Sequence, residues 1–383
     1  MLSEKDRKWA KETWKKLDDK LSVVSVRSKE KIPFWSHDGM HDDMTKSNIN
    51  CWTNGFWPGL MWLMYSAEKK ECYKAAAEWG EEQLDKALLN HVGLSHDVGF
   101  IWRLASGFDY AITGSNEARI RQFRAADHLM SRFNPAGGGF IRAWNHGDYN
   151  PALAGWTIID CMMNLPLLYW ASEETDDPRF RFVAESHADM VLRDHFRPDG
   201  SVKHVVNHNP FTGEALGDMD DTQGQGFGSG SAWSRGQSWA LYGMVLSYIH
   251  TGKEEYLDAA KRSAHYFISS LSLSGWLPLC DFRAPLEPVY YDTSAGMCAA
   301  CGMIEIAKHV SEYEKHLYVT AAINMLKAAE KEFADWSHET DFIIGGASGS
   351  YKDNEHRHMN MIYADYYFAE ALYKLLELGN LEW

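Results

Sequence analysis

Residues 155–172 form the stretch GWTIIDCMMNLPLLYWAS, in which Asp160 is the only charged residue among large apolar and aromatic side chains. An apolar run of this length is typical of a helix that is buried on most sides. An isolated carboxylate in such surroundings is costly unless it is paired, protonated or used in chemistry. The stretch therefore predicts a buried helix over 156–173. Asp160 is either a functional residue or a carboxylate satisfied by neighbouring donors, and the stretch alone does not separate the two.

The remaining helical segments alternate between this apolar type and a charged, amphipathic type. The periodicity predicts apolar helices over 55–69, 97–113, 232–251, 292–309 and 361–377, charge-rich helices over 71–90, 116–133, 177–195, 253–271 and 312–334, and a first helix over 4–22. Strand-like segments are restricted to 201–208 and 341–347. We predict an all-α protein with polar helices packed outside apolar ones: an (α/α)6 barrel, or six-hairpin double ring, forming a single domain over residues 1–383.

Long loops connect each charged helix to the next apolar one. They cover 134–155, 196–231, 272–291 and 335–360 and are rich in Gly, Trp, His and Asn. All of them enter apolar helices at their N-termini, so in a closed ring they gather at one mouth. Loops clustered on one face of a rigid scaffold are a usual place for function.

Composition narrows the class of ligand. Lys and Arg number 38 against 53 Asp and Glu, and the net charge of −15 disfavours nucleic acid and anionic membranes as partners. The charged N-terminal segment shows no signal peptide, and no apolar run is long enough to span a bilayer, so we expect a cytoplasmic protein. Many of the 16 Trp, 18 Tyr and 17 Phe residues lie beside Gly and Asn. Such rings suit ligands with apolar faces and hydroxyl edges, such as sugars.

Two more charged residues lie at the starts of predicted apolar helices. Asp97, in SHDVGF (95–100), is placed like Asp160 on another helix, although a simple N-terminal cap explains it equally well. Two acids on converging helices suit sugar chemistry, one as proton donor and one as orienter or base. Arg235, in SAWSRGQSWALYG (231–243), needs an anion, which is either a substrate carboxylate or a structural Asp.

Metal and cofactor motifs are weak in this sequence. His204 and His208 are four residues apart in an extended segment without a carboxylate ligand nearby, and the HRH at 356–358 is no stronger. There is no phosphate loop and no dinucleotide-binding motif. We therefore predict no metal and no cofactor.

Six strings carry a resemblance to a known family: CWTNGFWPGLMW (51–62), HDVGF (96–100), IIDCMMNLPLLYWAS (158–172), WSRGQSWALYG (233–243), DTSAGMCAACG (292–302) and ADYYFAEAL (364–372). With these strings in this order, nearly the whole chain resembles the unsaturated glucuronyl hydrolases, glycoside hydrolase family 88. The resemblance implies an (α/α)6 barrel. It also implies release of the 4,5-unsaturated uronic acid from the non-reducing end of lyase-generated glycosaminoglycan oligosaccharides, by hydration of the C4=C5 double bond.

The same resemblance implies roles for individual residues. Asp160 donates a proton to C4 and activates water for C5, while Asp97 binds and orients the sugar ring. The implied substrate contacts are Trp52, Asn54, His96, Trp144, His204, Gln225, Arg235 and Trp239. Asp160 must begin protonated, and its apolar neighbours Met162, Trp156 and Leu165 are predicted to raise its pKa.

The late loop GGASGSYKDNEHRH (345–358) bears on sulfated substrates. Some family members accept sulfated disaccharides through Ser and Lys residues in this loop. Here Ser350 and Lys352 are present, and Ala347 stands where another Ser is expected, with Ser348 as its substitute. The resemblance therefore implies tolerance of sulfate.

Three other functions compete with this hypothesis. An unsaturated rhamnogalacturonyl hydrolase acting on pectin fragments shares the fold, but the HD of SHDVGF and the IID before Cys161 favour the glucuronyl enzymes. A sugar epimerase on the same barrel requires paired His bases, and a noncatalytic glycan-binding protein has no use for an Asp in an apolar segment. The expected partner is a small anionic oligosaccharide, and the expected state is a monomer or weak homo-oligomer.

Overall fold

The computed structural model describes residues 2–144 and 153–383. Helices dominate these residues, as predicted. The α-helices are α1 (Glu4–Arg27), α2 (Met44–Ser47), α3 (Phe56–Glu68), α4 (Glu71–Asn90), α5 (Val98–Trp102), α6 (Ala105–Thr113), α7 (Asn116–Ser131), α8 (Leu165–Thr175), α9 (Pro178–Asp194), α10 (Ser234–Thr251), α11 (Glu254–Ser270), α12 (Thr293–His309), α13 (Glu312–Phe333) and α14 (Ile362–Leu376). The strands are short: β1 (Ser36–His37), β2 (Met40–His41), β3 (Phe133–Asn134), β4 (Phe140–Ile141), β5 (Trp156–Ile158), β6 (Val205–His208) and β7 (Ala215–Asp218).

The helices are arranged in an inner and an outer ring. Around the inner ring, α3 contacts α6, α5 contacts α8, and α8, α10, α12 and α14 follow in order, with α14 contacting α3 again. Each inner helix packs against an outer one: α4 on α3, α7 on α6, α9 on α8, α11 on α10, α13 on α12, and the first helix, α1, on α14. This is the predicted (α/α)6 arrangement, in which the chain start completes the last hairpin.

Burial follows the difference in composition between the rings. Every residue of α12 from Thr293 to Ala307 is buried, whereas outer helices such as α11 bury one face. Large apolar side chains contribute about 1.5–3 kcal/mol each when fully buried. Close packing also needs small residues: a Cβ at Gly302 would lie 2.5 Å from Cδ1 of Leu241 and 2.9 Å from Cα of Tyr242. Without a side chain at Gly302, the backbone of α12 can pack directly against α10.

The predicted helix over 156–173 is wrong in its first half. Residues Trp156–Ile158 form strand β5, Ile159–Met163 form a 3-10 turn, and only α8 is α-helical. β5 joins β6 and β7 in an antiparallel three-stranded sheet. The β-branched residues of 157–159 favour an extended backbone. Pro166 is compatible with the first turn of a helix, and α8 indeed has it there.

Two other predictions need correction. The helix predicted over 97–113 is interrupted and becomes α5 and α6. The strand predicted over 201–208 is confirmed over its second half, as β6. The segment 341–347 forms no strand in the described part of the chain and makes isolated bridges at Ile344 and Ala347 instead.

Trp383 is buried among aromatic residues of the inner helices. Its indole is 1% exposed and lies parallel to the ring of Tyr367, with 6.2 Å between centroids and 8° between planes. It also meets Phe100 edge-on at 5.8 Å, and its Nε1 donates to Glu370 Oε2 at 3.2 Å. Across residues 2–144 and 153–383, no helix is long and apolar enough to cross a membrane.

Candidate active site

Pairing of β5 with β6 brings Asp160 to His204. Ile158 lies opposite Val205 in the sheet, and the backbone N–H of Ile159 donates to the carbonyl of His204 at 3.0 Å. Asp160 follows strand β5 and His204 precedes strand β6, so the antiparallel pairing brings the two residues together. Oδ2 of Asp160 lies 3.3 Å from Nε2 of His204. The Asp160 side chain is 17% exposed and that of His204 is 2% exposed. The 3-10 turn that follows β5, rather than an α-helix, positions the predicted catalytic acid.

The hydrogen bonds of His204 fix its tautomer. The backbone N–H of Gln225 donates to Nδ1 of His204 at 3.1 Å, so in the neutral ring the proton is assigned to Nε2, which faces Asp160. The backbone N–H groups of His204 and Val205 both donate to Oδ1 of Asp220 at 3.0 Å. The Nε2–Oδ2 contact is close but not aligned as a hydrogen bond. Both atoms therefore keep capacity for a ligand.

Asp97 lies at the N-terminal cap position of α5 but does not cap that helix with its side chain. Its Oδ2 accepts from Ser95 Oγ at 3.2 Å, and its Oδ1 accepts from Asn164 Nδ2 at 3.3 Å. Asn164 in turn accepts from the backbone N–H of Phe100 at 2.9 Å. The simple cap considered from the sequence is therefore absent from this position, and Asp97 is held by side chains inside the barrel.

The two acids differ in their pKa values. Burial, together with the nearby charge of Asp160, raises the pKa of Asp97 to about 7. Burial also acts to raise the pKa of Asp160, but His204 and the charge of Arg235 outweigh it and leave the pKa of Asp160 lowered. Two neighbouring buried carboxylates cannot both ionise cheaply. The pair therefore retains a proton up to near-neutral pH, and that proton belongs to Asp97.

This result contradicts one expectation. The prediction of a raised pKa for Asp160 is wrong, because other groups of the folded protein lower it. The neighbours considered were those close in sequence. His204 and Arg235 come from distant segments and reach Asp160 only in the folded chain.

Arg235 forms an ion pair with Asp292. A structural Asp was one of the two anions that the sequence left open for it, the other being a substrate carboxylate. Its Nη1 donates to Asp292 Oδ2 at 2.7 Å and to the carbonyl of Ser348 at 2.6 Å, and its Nη2 donates to the carbonyl of Gly349 at 2.8 Å. The guanidinium lies 4.5 Å from the ring centroid of Trp233. Its Nε has no partner among the described residues, so a donor remains for an anionic ligand.

The other predicted contacts lie around these groups. The Trp52 ring lies 5.3 Å from that of Phe100 and 6.5 Å from that of Trp239. Nδ2 of Asn54 donates to the carbonyls of residues 48 and 49, and its buried Oδ1 is unpaired within the described part of the chain. Trp144 is half-buried beside Ala143, next to residues 145–152, which are outside the described residues.

His96 is fully buried next to Asp97. Its Nε2 lies 3.5 Å from Oδ2 of Asp97, yet neither ring nitrogen has a hydrogen-bond partner within residues 2–144 and 153–383. Burial lowers the pKa of His96 to about 3, so the ring is neutral. Buried polar atoms without a partner are rare, and here they are available to the hydroxyl groups of a ligand.

The side chains that the resemblance assigns to sulfate binding all have hydrogen-bond partners in the structure. The buried Ser348 hydroxyl donates to the carbonyl of Tyr291 at 2.6 Å and accepts from the N–H of His358. Its role as a substitute sulfate ligand stays a prediction from the resemblance. Lys352 Nζ donates to the carbonyls of Asp220 and Asp221 at 3.0 and 2.6 Å. Ser350 Oγ donates to the carbonyl of Gln225 at 3.2 Å.

Two residues that were not predicted from the sequence contact the predicted site residues. Trp233 has its ring centroid 4.4 Å from that of His204 and also contacts Arg235. Asn164 links Asp97 to the carbonyl of Asp160, to which it donates at 3.2 Å. Its spacing of four residues from Asp160 was the available signal, and for Trp233 the signal was its position two residues before Arg235.

The chain is similar to known proteins of one family. The family model of Glycosyl Hydrolase Family 88 matches residues 24–272. The chain is 35% identical over 376 residues to the unsaturated glucuronyl hydrolase of Bacillus sp. (strain GL1), covering 94% of this chain and 95% of that protein. It is 33% identical over 343 residues to the unsaturated chondroitin disaccharide hydrolase of Streptococcus pneumoniae (strain ATCC BAA-255 / R6), covering 87% and 83%.

Solved structures show the same similarity. The crystal structure of the unsaturated glucuronyl hydrolase from Bacillus sp. GL1 matches with a TM-score of 0.87 at 32% identity, covering 94% of this chain and 96% of that one. A variant of the Streptococcus agalactiae enzyme complexed with dGlcA-GalNAc6S matches with a TM-score of 0.82 at 26% identity, covering 98% and 94%. The chain belongs to glycoside hydrolase family 88, which confirms the resemblance found in its motifs.

Proposed function

We propose that this protein releases the 4,5-unsaturated uronic acid from the non-reducing end of glycosaminoglycan disaccharides by hydrating the C4=C5 bond. The observation that carries the proposal is the buried pair of Asp97 and Asp160, with His204 3.3 Å from Asp160, in a chain of this family. The relatives named above are unsaturated glucuronyl and chondroitin disaccharide hydrolases, which favours glycosaminoglycan over pectin fragments.

The first step needs a proton on Asp160. The protein's own groups leave Asp160 ionised and Asp97 protonated near neutral pH. A uronate carboxylate entering the site adds negative charge and displaces water, and both effects raise the pKa of a buried acid. Asp160 then takes up a proton and passes it to C4, while Asp97 orients the sugar ring and His204 contacts it.

The second step consumes one water molecule. After protonation of C4, the Asp160 carboxylate accepts a proton from water, and the oxygen of that water bonds to C5. The resulting hemiketal opens, the glycosidic bond breaks, and the second sugar leaves with a proton. No displacement at C1 occurs, so the separation of the two carboxyl groups says nothing about inversion or retention.

Local donors allow a protein of net charge −15 to hold an anionic sugar. Arg235 contributes its Nε–H, His204 its Nε2–H and His96 a neutral imidazole, and these nitrogens have no hydrogen-bond partner among the described residues. The half-buried Trp52 offers an apolar face beside Trp239. Five statements stay predictions from the sequence: the absence of a metal, the absence of a cofactor, the oligomeric state, the cytoplasmic location and the single domain over residues 1–383.

The proposal is tested by the near-ultraviolet absorbance of the unsaturated uronate, which hydration removes. We expect the wild-type protein to remove it from unsaturated, unsulfated chondroitin or hyaluronan disaccharides. We expect Asp160→Asn to lose about 10²–10⁴-fold in rate, because it can neither give nor accept the proton. Asp258→Asn, at an exposed site on α11, is the matched control and keeps full activity. Normal turnover by Asp160→Asn contradicts the assigned role.

A further inference from the structure

His204 is held in place by groups outside the acid pair. Its backbone carbonyl accepts from the N–H of Ile159 at 3.0 Å, which is part of the strand pairing that brings it to Asp160. Its backbone N–H donates to Oδ1 of Asp220 at 3.0 Å, and its Nδ1 accepts from the N–H of Gln225 at 3.1 Å. The backbone and one edge of the ring are therefore fixed, and Nε2 is left facing Asp160.

Asp220 is the side chain that fixes the start of β6. It is 1% exposed, and its Oδ1 accepts from the N–H groups of both His204 and Val205 at 3.0 Å. Its Oδ2 accepts from Nη2 of Arg197 at 3.4 Å. A buried carboxylate is costly unless it is hydrogen-bonded and paired, and Asp220 is both. The carboxylate therefore has a defined position at the point where His204 leads into the strand.

The turn from Met219 to Gln225 carries Asp220 and also reaches the ring of His204. The N–H of Met219 donates to a carbonyl of β6, and its own carbonyl accepts from the N–H of Gly224 at 3.2 Å. A Cβ at Gly224 would lie 2.7 Å from the Cα of Asp220, so the turn needs a glycine there to fold back on itself. This close turn brings the N–H of Gln225 to Nδ1 of His204.

Arg197 joins this turn to the segments on either side of it. Its Nη1 donates to the carbonyls of Val202 and Ser231, both at 2.9 Å, while its Nη2 donates to Asp220. Within residues 2–144 and 153–383, neither Arg197 nor Asp220 is among the hydrogen-bond or ion-pair partners of Asp160. An effect of these two residues on the acid therefore passes through His204.

We infer that Asp220, held by Arg197, is a positioning residue for the reaction, because it aims the imidazole of His204 at Asp160. The inference rests on the proposed function, in which Asp160 protonates C4 beside His204. A misplacement of about 1 Å at a reacting group costs about 10²-fold in rate. Substrate affinity should depend less on Asp220, since Arg235 is held by other segments.

The first test measures loss of absorbance on the unsaturated, unsulfated chondroitin disaccharide. Asp220→Ala removes the acceptor for two N–H groups, and we expect kcat to fall about 10–100-fold while KM changes less than about threefold. Asp220→Asn keeps a side-chain oxygen for both groups and should recover most of that loss. Asp281→Ala is the matched control, because Asp281 is an equally buried carboxylate that accepts from the N–H groups of Phe227 and Ala232 instead.

A double-variant cycle separates positioning from general damage to the fold. His204→Asn removes the imidazole, so adding Asp220→Ala to it should lower kcat no further, whereas any loss caused by Asp281→Ala should multiply with that of His204→Asn. Full multiplication of the Asp220→Ala and His204→Asn effects would overturn the inference, because Asp220 would then act independently of the imidazole. A wild-type kcat in Asp220→Ala would overturn it as well.

NMR of protein labelled at the histidine nitrogens gives a second readout that needs no turnover, with His204→Asn identifying the His204 signals. We expect one tautomer in the wild type and in Asp281→Ala. In Asp220→Ala the turn is loosened and a second tautomer should appear; unchanged His204 signals would contradict the inference. If Asp220→Ala does not fold, Arg197→Met takes its place in both tests, with smaller changes expected. If the wild type removes no absorbance, the proposed function fails, whereas the His204 signals still decide what Asp220 holds.

Discussion

Asp97 and Asp160 are linked through one amide: Asn164 Nδ2 donates to Oδ1 of Asp97 at 3.3 Å and to the backbone carbonyl of Asp160 at 3.2 Å. The contact ties α5, where Asp97 begins the helix, to the 3-10 turn that carries Asp160. Tight packing accompanies it, since a Cβ at Gly99 would lie 2.6 Å from the Asn164 Cα. The two acids are therefore held in fixed relation, and their titrations depend on each other.

This coupling predicts the pH dependence of the enzyme. The pKa of Asp97 is raised to about 7, so the pair loses its proton as the pH rises through about 7. Wild-type kcat/KM, which reports the groups of the free enzyme, should therefore fall above that pH. In Asp97→Asn the group that holds the proton is gone, and the carboxyl that remains, Asp160, has a lowered pKa. We expect a lower rate and an alkaline limb displaced to lower pH.

The measurement is kcat/KM against pH for the wild type and Asp97→Asn. Asp258→Asn serves again as the control for removing one carboxylate. An alkaline limb that keeps its position in Asp97→Asn would show that Asp97 does not hold the proton.

Arg235→Met should destabilise the fold strongly. The variant leaves Asp292 buried without its cation, and breaking a buried ion pair from one side costs about 3–5 kcal/mol. Arg119→Met removes a more exposed pair with Glu174 and should cost far less, because solvent screens an exposed ion pair. Urea unfolding of both variants gives the comparison. Equal stability of the two would mean that Arg235 contributes only to substrate binding.

Trp383→Ala should also lower the stability of the fold. Removing a fully buried Trp side chain costs about 3–5 kcal/mol, since its aromatic neighbours cannot fill the space. Trp383→Phe keeps part of the ring contact and should cost less. Tyr313, 98% exposed, provides a control in which replacement by Ala changes little. Thermal unfolding distinguishes these variants, and an unchanged midpoint for Trp383→Ala would show that the buried indole does not stabilise the fold.

The outer helices were predictable because their signals are local. α9, for example, begins after Asp177, which accepts from the N–H of Arg179, and has Pro178 at its first position. The apolar inner helices were predictable from composition alone. These two patterns together were sufficient for the double ring.

The surroundings of Asp160 were not predictable in the same way. Residues 156–158 have an apolar composition that fits a buried helix as well as a strand, and their pairing with β6 decides between them. The pKa of Asp160 depends on His204 and Arg235, which are distant in sequence. The acid pair itself was found from local sequence, whereas the location of its proton required the fold.

Hydration of the C4=C5 bond by an acid at position 160 is tested most directly by running the reaction in deuterium oxide on an unsulfated unsaturated disaccharide. We predict that absorbance disappears as the second sugar is released, and that the uronate-derived product carries deuterium at C4 when wild-type protein is used. Release of the second sugar with the absorbance intact and no deuterium at C4 would mean cleavage at C1, and would contradict the mechanism.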